Sequence, residues 1–341
     1  MCGKNGLCLF KNENCRGWKD VHCPRTFGRR PHGVAAWFEA PCHGLRGLSH
    51  RMFKSSLGHG GFSSIYLVQD SKSHRLCVLK KIVCHAKEDQ MKALQEVAYY
   101  GLIKHPNVIE CLDSGVSGEA DAFSNYTSEV YILLPYYKRG TLADELLRRS
   151  RNCDHLPAMD VLTMFLQICE GVKAFHEALP EPLAHRDLKT ANILIGEGNR
   201  PIIMDLGSMS TARIKICGSS EAQKLQDTAG EMCSMPYRAP ELFNVESYCM
   251  VDERTDIWSL GCVLYAMCFF KSPFDVVYER GDSVALAVIS GTVSFPDGSP
   301  YDQDLHDLIL YMLKVNPMER PYIYSVIEKT HDVISKLQCV A

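Results

Sequence analysis

The chain has 341 residues, of which 46% are hydrophobic and 23% charged, and its formal net charge at pH 7 is −3. These values exclude a disordered chain, a collagen-like chain and a small disulfide-stapled fold, and the length is sufficient for two lobes with large cores. The near balance of 37 Lys and Arg against 40 Asp and Glu gives no electrostatic reason to expect nucleic acid as a partner. The function therefore depends on individual sites rather than on bulk charge.

Residues 1–50 differ in composition from the rest of the chain. They hold eight Lys or Arg against three Asp or Glu, together with seven Gly, three Pro and five of the sixteen cysteines. No sustained apolar period runs through them, and they lack the apolar core of a signal peptide, so we predict an irregular basic arm. The cysteines of the whole chain form no CxxC pair and no even spacing, which favours reduced thiols and a cytoplasmic location.

From about Arg51 the chain carries short β-rich runs, SSIYLVQD, RLCVLKKIV and VYILL, and after Gly140 it becomes mostly helical. This change predicts a β-rich lobe and an α-rich lobe joined by a hinge near Leu134–Gly140. The 14-residue apolar stretch Ile257–Phe270 is too short to span a bilayer and predicts a buried core helix. Helices are predicted at Asp89–Ile103, Thr141–Ser150, Met159–Glu177, Asp256–Phe270, Asp302–Leu313 and Pro321–Leu337.

The segment LGHGGFSSIYLV places Gly58 and Gly60 between two strand-like runs. Glycines in this position let main-chain N–H groups close over phosphates. A hairpin turn without a ligand would use the same glycines, and Ser63 occupies the third position of the G-x-G-x-x-G pattern. The strand–turn–strand context favours a phosphate-covering flap over a strand-to-helix dinucleotide turn.

Lys80 interrupts the apolar run CVLKKIV, where an amine without a partner would be costly. Glu96, sixteen residues later on the next predicted helix, is the expected partner. The alternative is that Lys80 and Lys81 are both solvent-facing strand residues.

The segment AHRDLKTANILI is followed by IIMDLG, thirteen residues after its amide. An acid, Asp187, can accept the proton of a hydroxyl nucleophile, and Lys189 can neutralise a transferring phosphoryl group. Asn192 and Asp205 are hard oxygen ligands suited to Mg²⁺. A surface charge cluster is the alternative, but the ordered series AHRDLKTAN, DLG and APE argues against it.

Residues from about 50 to 337 resemble the eukaryotic protein kinase domain, because HRDLKTAN, DLG, YRAPE, DIWSLG and NPMERP stand in the family's order. The segments GHGGFSSIYLV, MDLGSM and DERTDIWSLGCVLYAM resemble the Numb-associated kinase family more closely. The resemblance implies an α+β, bilobal fold: an N-lobe over 51–134 with one main helix, a hinge over 135–140 and a helical C-lobe over 141–337, preceded by the arm at 1–50.

The resemblance also implies the role of each site residue and two cofactors, ATP and Mg²⁺. Asp187 is the implied catalytic acid/base, with Lys189 beside it, and Asn192 and Asp205 are the implied magnesium ligands. Lys80 is expected to hold the α- and β-phosphates while paired with Glu96. The implied ATP contacts are Leu57, Gly58, Gly60, Lys80, Pro135 and Tyr137, with Leu134 at the gatekeeper position; a proline fits the hinge because position 135 needs to offer only its carbonyl.

Four further residues resemble structural positions of the family. Glu241 and Arg320 resemble the buried ion pair that anchors the APE segment, and Asp256 resembles the acid that braces the catalytic loop. Arg186, next to the catalytic aspartate, is a candidate for binding a phosphorylated residue of the activation segment.

The activation segment, Asp205–Glu241, is 37 residues long, and Leu206 replaces the phenylalanine of the usual DFG motif. Ser220 and Gln223 are spaced as a capping box, which predicts a short helix after them. The resemblance implies an extra helix in the same place. The candidate phosphorylation sites are Ser219, Ser220, Thr228 and Ser234.

The arm departs from the family, which begins Met-Gly and is doubly acylated, because this sequence reads Met-Cys-Gly. Myristoylation requires glycine at position 2. Cys2 and Cys8 remain candidates for acylation, and the basic arm would favour an anionic membrane surface. The resemblance extends to a peripheral location on Golgi or other membranes.

These features predict a serine/threonine protein kinase that transfers the γ-phosphoryl group of ATP to protein hydroxyls and phosphorylates itself. The lysine of HRDLKTAN indicates the serine/threonine type by resemblance. The main alternative is a pseudokinase scaffold without turnover, and a weaker one is a kinase of small metabolites.

Overall fold

In the computed structural model, residues 51–59, 63–118 and 127–340 are described. The first part of this region forms one antiparallel sheet of five strands with a single long helix against it. The strands are β1 (Arg51–His59), β2 (Ser63–Asp70), β3 (Leu76–Cys84), β4 (Asp113–Ser117) and β5 (Ser128–Pro135), in the spatial order β1-β2-β3-β5-β4, and the helix is α1 (Lys87–Leu102).

Alternating side chains give β3 two different faces. Cys77 and Leu79 pack into a small cluster on one face of the sheet. Val78 and Ile82 pack against the main core on the other face. Lys80, which shares the period of Val78 and Ile82, is therefore directed towards the main core, on the side of α1.

The second part is mostly helical. Thr141 caps its first helix, since its hydroxyl accepts the main-chain N–H of Asp144 at 3.1 Å while the Asp144 carboxylate accepts the N–H of Thr141 at 2.9 Å. The helices are α2 (Leu142–Ser150), α3 (Ala158–His176), α4 (Ser219–Met232), α5 (Arg254–Phe269), α6 (Asp275–Glu279), α7 (Val284–Ser290), α8 (Gln303–Met312) and α9 (Ile323–Val340).

Helix α5 lies at the centre of this lobe. Fourteen of its sixteen residues are buried, so it has no polar face, and Trp258 stacks on Phe274 with ring centroids 5.8 Å apart. The prediction of a buried core helix from the apolar stretch is confirmed.

Three small two-stranded sheets carry the loops at the cleft. The HRDLKTAN segment begins directly after Ala184 of one sheet, and the DLG segment begins one residue after Ile203 of another. The strands are β6 (Leu183–Ala184) with β9 (Ser210–Thr211), β7 (Ile193–Ile195) with β8 (Pro201–Ile203), and β10 (Ile214–Ile216) with β11 (Cys249–Val251).

The five-stranded sheet and the helical second part confirm the predicted α+β, bilobal architecture. Each predicted helix is present with its ends displaced by at most three residues. Helices α6 and α7 were not predicted, because five and seven residues are too short for a periodic signal.

The predicted capping box of Ser220 and Gln223 is wrong. Helix α4 begins at Ser219 with Gly218 as its N-cap residue and without a side-chain cap, so Ser220 lies inside the helix. Glu221 instead accepts the N–H of Cys217 at 2.7 Å. The helix itself, which the family resemblance implied, is present and is 14 residues long.

None of the helices in the described residues is both long enough and apolar enough to cross a bilayer.

Candidate active site

Lys80 joins the two lobes across the cleft. Its Nζ donates to both oxygens of Glu96 on α1, at 2.9 and 3.1 Å, and to Oδ1 of Asp205 in the second lobe, at 2.9 Å. Lys81, on the opposite face of β3, pairs instead with Glu129 at 2.6 Å. The expected partner of Lys80 is therefore present, and the alternative of two solvent-facing lysines is wrong for Lys80.

Burial and the neighbouring charges shift the pKa values of Lys80 and Asp205 in opposite directions. Burial opposes the charge of Lys80, but the carboxylates of Glu96 and Asp205 outweigh it and raise the pKa of the amine above its ordinary value. Burial also opposes the charge of Asp205, yet the amine holds the pKa of that carboxyl below its ordinary value. The amine and the Asp205 carboxylate therefore stay charged near neutral pH.

Asp187 lies after β6 with both carboxylate oxygens held by donors. Oδ1 accepts the main-chain N–H of Ser234 at 2.8 Å, and Oδ2 accepts Lys189 Nζ at 2.8 Å and Asn192 Nδ2 at 3.0 Å. Its residue is only 8% exposed. A buried carboxylate with three donors has a fixed orientation, which suits a group that must meet one proton in one position.

Ser234 contacts the catalytic segment through its side chain as well. Its hydroxyl accepts a hydrogen bond from Lys189 Nζ at 2.6 Å. Of the four candidate phosphorylation sites, Ser234 is thus the one drawn into the cleft, whereas Ser219, Ser220 and Thr228 are exposed on α4. Nothing in the sequence separates Ser234 from the other three hydroxyls, so its contact with the catalytic segment was not predicted.

The two predicted metal ligands have different contacts, since Asn192 bonds Asp187 whereas Asp205 bonds Lys80. Asn192 uses its amide nitrogen to donate to the main-chain oxygen and the carboxylate of Asp187, which leaves its amide oxygen as the ligand atom. Asp205 has a positive φ of 63°, a backbone conformation that is uncommon for residues other than glycine. Within the described residues no three His, Cys, Asp or Glu side chains form a metal cluster.

The predicted adenine pocket is lined from β5 and the segment after it. Pro135 ends β5 opposite Cys77, and Leu134 beside it is buried opposite Val78. Leu57 on β1 is 48% exposed, and a Cβ atom placed on Gly58 would have none of the described residues within 4 Å. Gly60, the other predicted phosphate-covering glycine, lies outside the described residues.

Asp256, the first acid of α5, braces the catalytic loop from below. Its carboxylate accepts the main-chain N–H groups of His185 and Arg186 at 2.8 and 2.9 Å, and it meets Nε2 of His176 at 3.1 Å. Burial opposes its charge, but the hydrogen bond and charge of His176 hold the pKa of Asp256 below its ordinary value. His176 is a buried partner that the sequence did not single out.

Arg186 is buried, and its guanidinium forms hydrogen bonds to groups of the protein itself. Nη1 donates to Thr255 Oγ1 at 2.7 Å and Nη2 donates to the main-chain oxygen of Ala212 at 2.7 Å. Its φ is 67°, so the backbone turns sharply just before Asp187. These contacts give Arg186 a structural role in holding the catalytic loop against α5 and the start of the activation segment.

Glu241 and Arg320 form a bidentate ion pair, with nitrogen–oxygen distances of 2.7 and 2.9 Å. Arg320 also donates to the main-chain oxygens of Arg254 and Lys314 and lies over the ring of Trp258. The side chain of Arg320 has no exposed area. The pair fixes the end of the activation segment to the core of the lobe.

Residues 52–331 match the family model of the protein kinase domain. The chain is 43% identical to human serine/threonine-protein kinase 16 and 42% identical to the rat protein of that name, with 80% of this chain and 86% of each relative covered. It is 32% identical to serine/threonine-protein kinase ppk13 of Schizosaccharomyces pombe, with 80% of this chain and 87% of that protein covered.

Proposed function

This chain belongs to the protein kinase family and is an ATP-dependent serine/threonine protein kinase, and from this premise we propose how the groups of its site divide the work. The observation that carries the proposal is the contact of Lys80 with Glu96 and Asp205. It joins an acid from each lobe at one cation.

Asp187 is proposed to receive the proton of the substrate hydroxyl. Its carboxylate already has its orientation set by three donors, so the energy of arranging it is not spent during the reaction. A carboxylate acting as a general base typically contributes a factor of about 10²–10⁴ to the rate.

Lys80 and Lys189 are proposed to bind phosphate oxygens. Lys80 stays charged because two carboxylates face it, and Lys189 is fixed between Asp187 and Ser234. Cations fixed before the reaction stabilise charge that develops on the transferring group without reorganisation.

Asn192 and Asp205 are proposed to hold magnesium. Their donor set fits, because an amide oxygen and a carboxylate are hard ligands, and Mg²⁺ in phosphoryl-transfer sites takes one or two protein ligands and completes its shell with water and phosphate. When bound, the ion would bridge phosphates and neutralise their charge. Lys80 donates to Oδ1 of Asp205 and so keeps this carboxylate ionised.

The adenine is proposed to lie against the segment from Pro135 to Tyr137, under Leu57 and Gly58. Proline at 135 keeps its carbonyl as an acceptor, and Tyr137 keeps both main-chain groups. Tyr137 is half-buried beside Gly196, where an added Cβ would lie 3.5 Å from its ring. The acceptors of the phosphoryl group are hydroxyls of protein substrates and of the chain itself.

Radiolabelled ATP and Mg²⁺ with wild-type protein and with Asp187→Asn test the assignment of the base. We expect the variant to lose at least ~10² in turnover while keeping its melting temperature. Asp304→Asn is the matched control, because this acid lies on α8 paired with Lys336. Wild-type protein without turnover would favour a pseudokinase, and full activity of Asp187→Asn would contradict the role of Asp187.

The magnesium assignment has its own readout. Asn192→Ala and Asp205→Asn are expected to raise the Mg²⁺ concentration at half-maximal nucleotide binding, measured with a fluorescent ATP analogue at fixed protein. Asn199→Ala, an exposed asparagine that contacts Arg139, serves as the control. An unchanged Mg²⁺ requirement in both site variants would refute the assignment.

Membership in the Numb-associated kinase family is proposed from the motifs MDLGSM and DERTDIWSLGCVLYAM and is supported by helix α4 inside the activation segment.

Contact with Golgi or other membranes is proposed through acylation of Cys2 and Cys8 in the basic arm. We expect membrane flotation from cells to fall in the double variant Cys2→Ser, Cys8→Ser and to be salt-sensitive in the wild type. Equal flotation of both proteins would disprove it.

A further inference from the structure

The outer face of the five-stranded sheet, which is the face away from Lys80, carries a set of deeply buried side chains. Strand pairing brings them together, since Tyr66 lies opposite Leu79 and Leu79 lies opposite Leu133. The set, which we call the outer cluster, has side chains between 1 and 3% exposed and comprises Val68, Cys77, Leu79, Tyr131 and Leu133.

The outer cluster is nearly as deeply buried as the opposite face of the sheet, whose cover is known. On that opposite face Val130 and Ile132 are 0% exposed and share a core with residues of helix α1. No described helix packs extensively against the outer face. A sheet face that meets water keeps part of its apolar side chains accessible, because neighbours within the sheet shield only their flanks.

Side chains of the sheet itself give the outer cluster only local shielding. Phe53 packs edge-on against Tyr66, and the amine of Lys81 lies over the ring of Tyr131. These contacts join neighbours within one layer and do not form a second layer. The burial of the outer cluster therefore calls for a cover from outside the residues that the structure describes.

The chain that precedes β1 enters the sheet beside the outer cluster. Arg51, the first residue of β1, donates from Nη1 to Sγ of Cys77 at 3.1 Å. Fifteen residues before it, 36–50, can extend about 50 Å, whereas five strands span only about 19 Å. This stretch is long enough to cross the face, and its large apolar residues are Trp37, Phe38, Leu45 and Leu48.

The connection between β4 and β5 is too short to be the cover. It leaves the sheet after Ser117 and returns at Ser128, at the end of β5 that pairs with Cys84. Cys77 lies at the other end of the same pairing, about 24 Å away along β3. The ten residues of this connection, going out and back, reach only about 17 Å.

We propose that residues 36–50 fold back over the outer face of the sheet, with Trp37 and Phe38 packed on the outer cluster. Aromatic side chains suit this role, because each buries a large apolar area. The folded first lobe then begins near Ala36 and not at Arg51. This proposal does not depend on the roles assigned to the catalytic residues.

Two thiols of β3 provide the test, because Cys77 lies in the outer cluster and Cys84 lies in the main core on the other face. The full-length protein is labelled with iodoacetamide for set times, digested, and analysed for each thiol by mass spectrometry. In the double variant Trp37→Ser, Phe38→Ser we expect Cys77 to react at least about tenfold faster, because a covered thiol reacts only when its cover opens. The reaction of Cys84 should keep its wild-type rate.

A second double variant, Trp18→Ser, Phe27→Ser, is the matched control, since it removes the same residue types from an earlier part of the sequence. It should leave both thiols at their wild-type rates. An unchanged rate at Cys77 in the Trp37, Phe38 variant would overturn the proposal. An equal acceleration of Cys77 and Cys84, or an equal effect of the control, would overturn it as well, because the change would then not be specific to this face and this segment.

A second copy of the chain is the alternative cover. In that case the wild-type reaction of Cys77 would slow as the protein concentration rises, and light scattering would show a dimer. We expect a rate that is independent of concentration. A concentration-dependent rate would replace the segment 36–50 by a partner subunit and overturn the proposal.

Tryptophan fluorescence gives a measurement that holds even if the Trp37, Phe38 variant does not fold. Trp18→Phe leaves Trp37 and Trp258 as the emitting residues, and Trp258 is fully buried. We expect acrylamide to quench this protein weakly, because the proposed contact also shields Trp37. Strong quenching of one of the two emissions would place Trp37 in solvent and refute the contact.

Discussion

Ser234 binds Asp187 through its main chain, at 2.8 Å from N–H to Oδ1, although 47 residues separate the two. The same serine accepts Lys189 with its hydroxyl. One residue of the activation segment therefore contacts both the proposed base and its neighbouring cation.

Ser234→Ala removes the hydroxyl and leaves the main-chain contact with Asp187. We expect kcat to fall about tenfold, because Lys189 loses an acceptor worth roughly 1.5 kcal/mol, while KM for MgATP changes little. Ser234→Thr keeps a hydroxyl and should retain most of the activity. Ser219→Ala, at an exposed position of α4, should leave kcat unchanged. Wild-type kcat in Ser234→Ala would show that the hydroxyl is dispensable.

Lys80→Met should lower kcat by a factor of about 10²–10³ or more, which is the usual effect of removing a fixed donor that stabilises developing charge. The far-ultraviolet circular dichroism should stay unchanged. Lys81→Met is the matched control: it removes the adjacent lysine of β3, which pairs with Glu129 on the other face of the sheet. If both variants lost activity equally, a general effect on β3 would replace the specific role of Lys80.

Arg320→Met should destabilise the second lobe by about 3 kcal/mol, because it leaves Glu241 and two main-chain oxygens without their buried donor. Urea unfolding followed by tryptophan fluorescence measures the change. Lys336→Met breaks an exposed pair with Asp304 and should leave the urea midpoint close to that of the wild type. Equal costs for the two variants would contradict the anchoring role of Arg320.

Glu145 provides a pH-dependent prediction on α2. The hydrogen bond from Arg148, opposed by partial burial and reinforced by Arg149, lowers the pKa of Glu145 from 4.5 to about 2. A lowered pKa in the folded state adds stability that is present above the unfolded value and lost as the pH falls towards the folded one. The stability difference between wild type and Glu145→Gln, on the order of 1 kcal/mol at pH 7, should therefore shrink between pH 4.5 and 2. A difference independent of pH in urea unfolding would contradict this.

The pair of Lys80 and Glu96 was predictable from the sequence, because a lysine within an apolar strand needs a partner and the next helix offers an acid at a suitable distance. Helix α5 was predictable for a similar reason, since its unbroken apolar run can only be buried. These features depend on local chemistry and on short connections along the chain.

The contacts of Ser234 and His176 were not predictable in the same way. Each depends on which surfaces the tertiary fold brings together, and the types of these residues are compatible with many other environments. The start of α4 was placed wrongly because Ser220 and Gln223 have the spacing of a capping box. The actual N-cap residue, Gly218, has no side chain and therefore gives no capping signal in the sequence.

The pairing of Glu241 with Arg320 has a consequence for synthesis on the ribosome. The arginine is made 79 residues after its partner, which corresponds to a delay of ~4–16 s at the usual rate of translation. During that interval Glu241 lacks its partner, and once Trp258 has been made its ring lacks the guanidinium that later lies over it. The nascent second lobe is therefore expected to bind chaperones until Arg320 has been added, and a pause in translation before that codon would prolong the association.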